Sequence, residues 1–305
     1  MSSLLWTAEE LVKHVFPQAF LIEPFVPREG IVFFHGKRNI GKSQLALTIA
    51  VCLSEHGALF GKYPTHAIGP VVYIQADMGA AIQQLRLRQI QQLYPLQQLH
   101  FFFPRFFNLA TITMQDETMA TIAKLKPSIV FWDTLRKIQR LGTNDDDVAS
   151  FIYGKSQDMF PTATHFFVHH DKKTIVDQEQ LDPEELFRGS GAWLDDADTG
   201  LHLERIASGR LMLTFTKTRT CESQPQLPLL LHPETLLLYA TGEQTAKLIE
   251  HWKLVHPGGT SAELERYLLS SFVAPPSTIR QLIHGGGNGH RQPASRPGPN
   301  DRQDP

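Results

Sequence analysis

The sequence predicts an α/β fold, and three observations predict it. The stretch Gly36-Lys37-Arg38-Asn39-Ile40-Gly41-Lys42-Ser43 is a complete G-x-x-x-x-G-K-S loop, preceded by the apolar run Ile31-Val32-Phe33-Phe34 and followed by an apolar, helix-forming stretch over 44–53. Further strand-length apolar runs follow at 71–74 and 128–132, each leading to an acidic residue, Asp77 and Asp133, with helical stretches between them. Near 200–216 two alternating runs flank Ala207-Ser208-Gly209-Arg210, which is the pattern of a hairpin.

The elements follow in order. Thr7-Ala8-Glu9-Glu10 reads as an N-cap with an acidic first turn, opening a helix to about Phe16, and Pro17, Pro24 and Pro27 break regular structure before the first core strand. Trp6 and Phe25 read either as a cover for a nucleotide base or as anchors for this segment. The 36–43 loop is built to hold a polyphosphate. Its glycines let the backbone wrap the anion, N–H groups and a helix N-terminus face it, and Lys42 neutralises its outer charge. Lys37, Arg38, Asn39, Ile40 and Gln44 line the same turn, and Ser43 is placed to ligate magnesium. The strand at 71–74 ends near Asp77, where α/β folds place ligands. Asp77 reads as the base that activates a water, or as the cap of a helix over about 80–94, whose Arg86 and Arg88 read as solvated.

A helix over 118–125 leads into Ser128-Ile129-Val130-Phe131-Trp132-Asp133. A buried strand ending in Asp, downstream of a phosphate loop, delivers a carboxylate that holds magnesium through water. Asn144-Asp145-Asp146-Asp147 reads as a charged cap on a helix to Met159 rather than a metal site. The strand at 164–168 ends in His169-His170, and alternation turns only one ring toward the phosphates. That ring reads as a γ-phosphate sensor or as a histidine satisfied by backbone. Neither reads as a metal ligand, since no Cys, His or Glu partner lies at a suitable sequence spacing. A polar loop spans 171–188, and Gly189-Ser190-Gly191-Ala192 opens a helix with Trp193 and Leu194. Past the hairpin, Lys217 and Arg219 stand two residues apart, on one face of an extended strand. Runs at 227–231 and 236–239 complete the sheet. Three helices follow, over 243–255, 260–272 and 275–284. They read either as a helix-turn-helix unit with 277–283 as its recognition helix, or as plain packing against the core or a neighbouring copy. The Gly/Pro/Arg/Asn composition from 285 reads as a disordered tail. The expected divisions are therefore 1–29, 30–242, 243–284 and 285–305.

Composition narrows the function classes. With 305 residues, 42 % apolar and 20 % charged, the chain is an ordinary soluble type, and its formal charge of −2 gives no global basis for nucleic-acid binding. Cys52 and Cys221 form neither a metal pattern nor a disulfide framework. No apolar run reaches membrane-spanning length and no secretion signal is legible, so a cytoplasmic location is expected.

Taken in register, several elements resemble one family over about residues 25–240: the phosphate loop, the strand leading to Asp77, Ile129-Val130-Phe131-Trp132-Asp133-Thr134-Leu135-Arg136, Val168-His169-His170, Arg188-Gly189-Ser190-Gly191-Ala192, the hairpin and Lys217-Thr218-Arg219. They resemble the RecA-like ATPases, most closely the AAA_25 group of plasmid RepA-type replicative helicases. The resemblance implies a twisted, mostly parallel sheet with helices on both faces. It implies assembly into a ring, commonly a hexamer, with ATP and Mg2+ bound between subunits. On that analogy Lys42 and Ser43 bind nucleotide and magnesium, Asp133 is the second magnesium residue, and Asp77 holds the catalytic-base position, usually Glu. His169 or His170 is the sensor, and Lys217 and Arg219 enter the neighbour's site as transition-state cations. The loop at 171–188 corresponds to the one that touches single-stranded DNA. Two functions are expected from this: a DNA-acting motor, helicase or remodelling, or a nucleotide-dependent regulator whose C-terminal helices recruit a protein partner. A metabolic P-loop kinase fits less well, because no acceptor-binding lid is legible.

Overall fold

The computed structural model describes residues 5–15, 18–55, 57–66, 69–105, 107–139, 141, 146–171, 191–241 and 245–284. The chain opens with α1 (Ala8–Lys13), β1 (Phe20–Ile22), β2 (Val26–Pro27), β3 (Ile31–His35) and α2 (Lys42–Ser54). Next come β4 (Ala58–Leu59), β5 (Tyr63–Pro64), β6 (Val71–Gln75), α3 (Ala80–Ile90), β7 (Leu99–Phe102) and α4 (Glu117–Lys124). The middle continues with β8 (Ile129–Asp133), α5 (Leu135–Ile138), α6 (Asp146–Met159), β9 (Thr164–Val168) and α7 (Ala192–Asp195). The last part holds β10 (Thr199–Ala207), β11 (Arg210–Thr218), β12 (Leu227–Leu231), β13 (Leu238–Ala240), α8 (Thr245–Val255), α9 (Ser261–Ser270) and α10 (Pro276–His284).

Nine strands form one sheet in the order β13-β12-β11-β10-β3-β9-β8-β6-β7. From β10 to β7 every pairing is parallel. The pairings of β10 with β11, β11 with β12 and β12 with β13 are antiparallel. The residues explain the division. Strands β3, β6, β8 and β9 are buried at every position, as parallel strands covered on both faces must be. β11 alternates buried and less buried positions, which suits a strand with one wetter face.

Side-chain alternation sends the strands' apolar residues into two cores. Val32 and Phe34 join α2 on one face, while Ile31 and Phe33 join Trp132, Tyr153 and Trp193 on the other. Helix α2 is buried from Leu45 through Ser54, which accounts for its apolar character all round. The C-terminal helices have a core of their own around Trp252, Leu268 and Ile279. They are also tied to the main body, through Tyr94 Oη donating to the Leu269 carbonyl (3.1 Å) and Ala240 N to the Phe272 carbonyl (3.0 Å). On α10, Arg280 and His284 both meet Glu265 within this unit, at 2.8 and 3.3 Å.

One expected boundary changes, and the double reading of Phe25 and Trp6 narrows. Helix α1 ends at Lys13 rather than near Phe16, since it buries no residue and rests on local contacts, its Thr7–Glu10 capping box and the Glu9–Lys13 pair. Phe25 is 1 % exposed and wedged edge-on against Tyr63 and Phe215, so it covers no base. Trp6 packs on His14 within its own segment (4.9 Å between rings). The Asn144-Asp145 cap, the loop at 172–188, Gly189-Ser190 and the tail from 285 lie outside the described residues.

Candidate functional site

The loop between β3 and α2 turns at the C-terminal edge of the parallel strands. Gly36 and Gly41 take φ of 151° and 114°, and a Cβ on Gly36 would lie 2.4 Å from the Leu203 carbonyl oxygen. Only glycine fits that close approach. Lys42 is buried, and its Nζ donates to the carbonyls of Gly36 and Lys37, both at 2.7 Å. Burial pushes its ammonium down to about 8, against the raising charges of Asp171 and Asp133.

Asp133 ends β8 in the neighbouring part of the same edge and is fully buried. Ser43 Oγ donates to its Oδ1 at 3.2 Å, while Tyr73 Oη (2.8 Å) and Gln75 Nε2 (3.4 Å) donate to Oδ2. Burial raises the Asp133 carboxyl, opposed mainly by the Tyr73 and Ser43 hydrogen bonds. A neutral hydroxyl beside a carboxylate is an all-oxygen pair suited to a hard cation such as Mg2+.

Asn39 to Gln44, Asp77, Met78, Arg86, Thr134, His170, Arg205 and Leu231 line the open cleft above this loop. Asp77 is not a helix cap. Gly79 holds the N-cap of α3 with no side-chain bond, and the Asp77 carboxylate stands 3.9 Å from Lys137 Nζ. The histidine pair divides as strand alternation requires. His169 is buried against Phe33 and Trp193 on the face opposite α2, whereas His170 lines the cleft. Burial, with Lys42 adding to it, drives the His170 imidazole down to about 4, so it is neutral near pH 7.

A family model described as an AAA domain, AAA_25, matches residues 3–175. The chain belongs to this family. Among curated proteins none matches. Solved structures are similar to it at low identity. A DnaB-like replicative helicase, solved for its interactions with primase, is 14 % identical over 69 % of this chain at a TM-score of 0.51, and this chain spans 57 % of it. A second solved structure, an isolated ATPase domain, is 14 % identical, with 69 % of this chain and 84 % of that one covered and a TM-score of 0.49. A KaiC-like protein from Pyrococcus horikoshii OT3 is 15 % identical, with 72 % and 93 % covered and a TM-score of 0.47. The AAA_25 chain is thus a P-loop NTPase of RecA-like α/β fold, with helices after the sheet.

Not every site residue expected from the AAA_25 sequence comes together. Lys217 and Arg219 lie away from the cleft. Arg219 N donates to the Asp198 carbonyl (3.0 Å) and Asp198 N to that of Ile31 (2.9 Å), so Arg219 is level with the first residue of β3. The phosphate loop follows the last residue, roughly 16 Å further along at the ordinary strand rise. Both cations serve the end of α7. Lys217 Nζ donates to the carbonyls of Leu194 (3.0 Å) and Asp195, and Arg219 to that of Asp195 (2.8 Å), with Asp198 Oδ1 at 3.3 Å. Burial and the Arg219 charge lower the Lys217 ammonium.

Other residues enter the site that sequence reading passed over. Arg86 is half-buried in the cleft wall rather than solvated, because its turn of α3 faces the loop. Arg205 reaches across from β10, its Nη2 donating to the Asn39 carbonyl at 3.2 Å. Tyr73 and Gln75 hold Asp133. The only signal for them was polarity inside the apolar run of β6, beside a strand ending in Asp.

Proposed function

We propose that the protein is an ATP-hydrolysing RecA-like ATPase that works as a homo-oligomeric ring, commonly a hexamer, on single-stranded DNA. One observation carries the reading: Arg219 is level with the first residue of β3, at the edge of the sheet opposite the phosphate loop. A chain so built cannot set its own Arg219 on its own phosphates, so a head-to-tail neighbour supplies it. The likeness of the fold to a DnaB-like replicative helicase supports DNA as the track.

The residues divide the work. Lys42 exchanges the Gly36 and Lys37 carbonyls for phosphate oxygens, which compensates the ammonium for its burial. Ser43 and Asp133 would hold Mg2+, which would supply positive charge to offset that of the phosphates. Tyr73 and Gln75 keep the Asp133 carboxylate aimed at Ser43. Asp77, half-exposed at the mouth of the cleft, orients and deprotonates the attacking water. His170, neutral, exchanges one hydrogen bond with the outer phosphate or that water and so senses its presence. Lys217 and Arg219 stabilise the charge on the transferring group of the adjacent subunit.

The test is steady-state ATP hydrolysis with and without single-stranded oligonucleotides, at low and high salt. Several-fold stimulation that salt removes is expected. No stimulation across lengths and sequences would displace the motor in favour of a second reading, a nucleotide-dependent regulator that recruits a protein. That alternative draws on the exposed Leu254, Val255 and Leu282 of the C-terminal helices (79 %, 52 % and 53 %).

A further inference from the structure

Behind the phosphate loop, on the sheet face opposite α2, three ionisable side chains are sealed together. His35 ends β3 and pairs in register with His202 on β10, their ring centroids 4.8 Å apart. Asp171 extends the line of β9, its backbone N donating to the Gly36 carbonyl at 3.0 Å. Its carboxylate thereby reaches both rings, Oδ1 at 3.1 Å from His35 Nδ1 and Oδ2 at 3.3 Å from His202 Nε2. The side chains are 0 %, 1 % and 3 % exposed for His35, Asp171 and His202. No step of the proposed ATPase cycle uses them.

We propose that His35, Asp171 and His202 form a binding site for a zinc-class divalent ion, Zn2+ itself. Two imidazoles and a carboxylate are ligands for borderline cations, whereas Mg2+ and Ca2+ prefer all-oxygen shells. The ligating atoms lie within 4.8 Å of one another, with one carboxylate oxygen 3.1 Å from His35 Nδ1 and the other 3.3 Å from His202 Nε2, so an ion between the two rings is within reach of all three side chains. The far nitrogen of His35, Nε2, meets Thr216 Oγ1 at 3.2 Å, the kind of outer partner that orients a metal-bound imidazole. Three protein ligands leave a fourth position for water. The ion would clamp the ends of β3 and β9 to the middle of β10 beneath Gly36.

The test is Co2+ titration of the full chain, stripped with chelator and kept in excess Mg2+, followed by visible absorption. One equivalent with low-coordinate d–d bands, displaced by Zn2+, is expected. Asp133→Asn, which alters the Mg2+ pair, should bind Co2+ as the wild type does. Asp171→Asn and His202→Gln should bind at least 100-fold more weakly, and Thr216→Val about 10- to 100-fold more weakly. Absence of the band in the wild type, or an unchanged band in folded His202→Gln, overturns the site in favour of a metal-free triad in which both imidazoles donate to Asp171. If the ligand variants fail to fold, X-ray absorption of the Zn2+-loaded wild type decides. Two imidazole ligands uphold the proposal, and a shell without them overturns it.

Discussion

The two edges of the parallel sheet are built differently. At the C-terminal edge the chain gathers Lys42, Ser43, Asp133 and His170 around a glycine turn, with buried Tyr73 and Gln75 steering the carboxylate. At the other edge Lys217 and Arg219 rest on backbone carbonyls at the end of α7, where a helix C-terminus welcomes cations. The first edge is a preorganised anion site, and the second is a pair of cations held by the Leu194 and Asp195 carbonyls and, for Arg219, the Asp198 carboxylate. On the proposed reading, that contrast makes the molecule half of two sites rather than the whole of one.

Substitutions at each edge can break or sharpen this contrast. The largest effect is expected at the first edge: Lys42→Ala should abolish nucleotide binding, read by fluorescent-nucleotide titration, and tight binding that survived would remove the phosphate loop from the site. At the second edge, Arg219→Ala should leave binding intact while lowering kcat about 10³-fold, as loss of an arginine finger does. Mixing Lys42→Ala with Arg219→Ala chains should restore part of the activity, because some interfaces then join an intact loop to an intact cation. Mixtures as inactive as their components would place the two edges in separate functions. The smallest effect belongs to Tyr73→Phe. Deleting one hydrogen bond to a buried carboxylate costs about 1.5 kcal/mol, seen as roughly a tenfold fall in kcat with binding little changed. Unaltered turnover would show that Tyr73 does not aim Asp133.

Much of the first edge was legible because it is contiguous. A glycine pattern, a strand before it and a helix after it specify one βα turn, and Asp133 announced itself as an acid ending a buried run. Alternation foresaw that the two histidines would part, but which ring faces the cleft depends on the register of β9 against β3 and β8. Arg86 was misjudged because helix α3 carries little apolar pattern to show which side faces the loop. His35, Asp171 and His202 were invisible as a cluster. A search by sequence spacing finds no metal pattern, since these residues are separated by more than 30 positions and meet only when β3, β9 and β10 lie side by side.

By itself, the sequence determined the local things: the anion-wrapping turn, the alternation of buried strands and helices, the hairpin and the Thr260–Glu263 capping box that starts α9. Each depends on residues a few positions apart, whose backbone preferences and hydrogen bonds are set before the chain folds up. Tertiary structure decided what distant residues do to one another. Strand order and register place Tyr73 on Asp133, bring Arg205 over the phosphate turn, bury His169 and leave Arg219 level with the wrong end of β3. Those outcomes depend on how crossover connections stack the strands, and a side chain's reach of a few ångströms makes each one all or nothing.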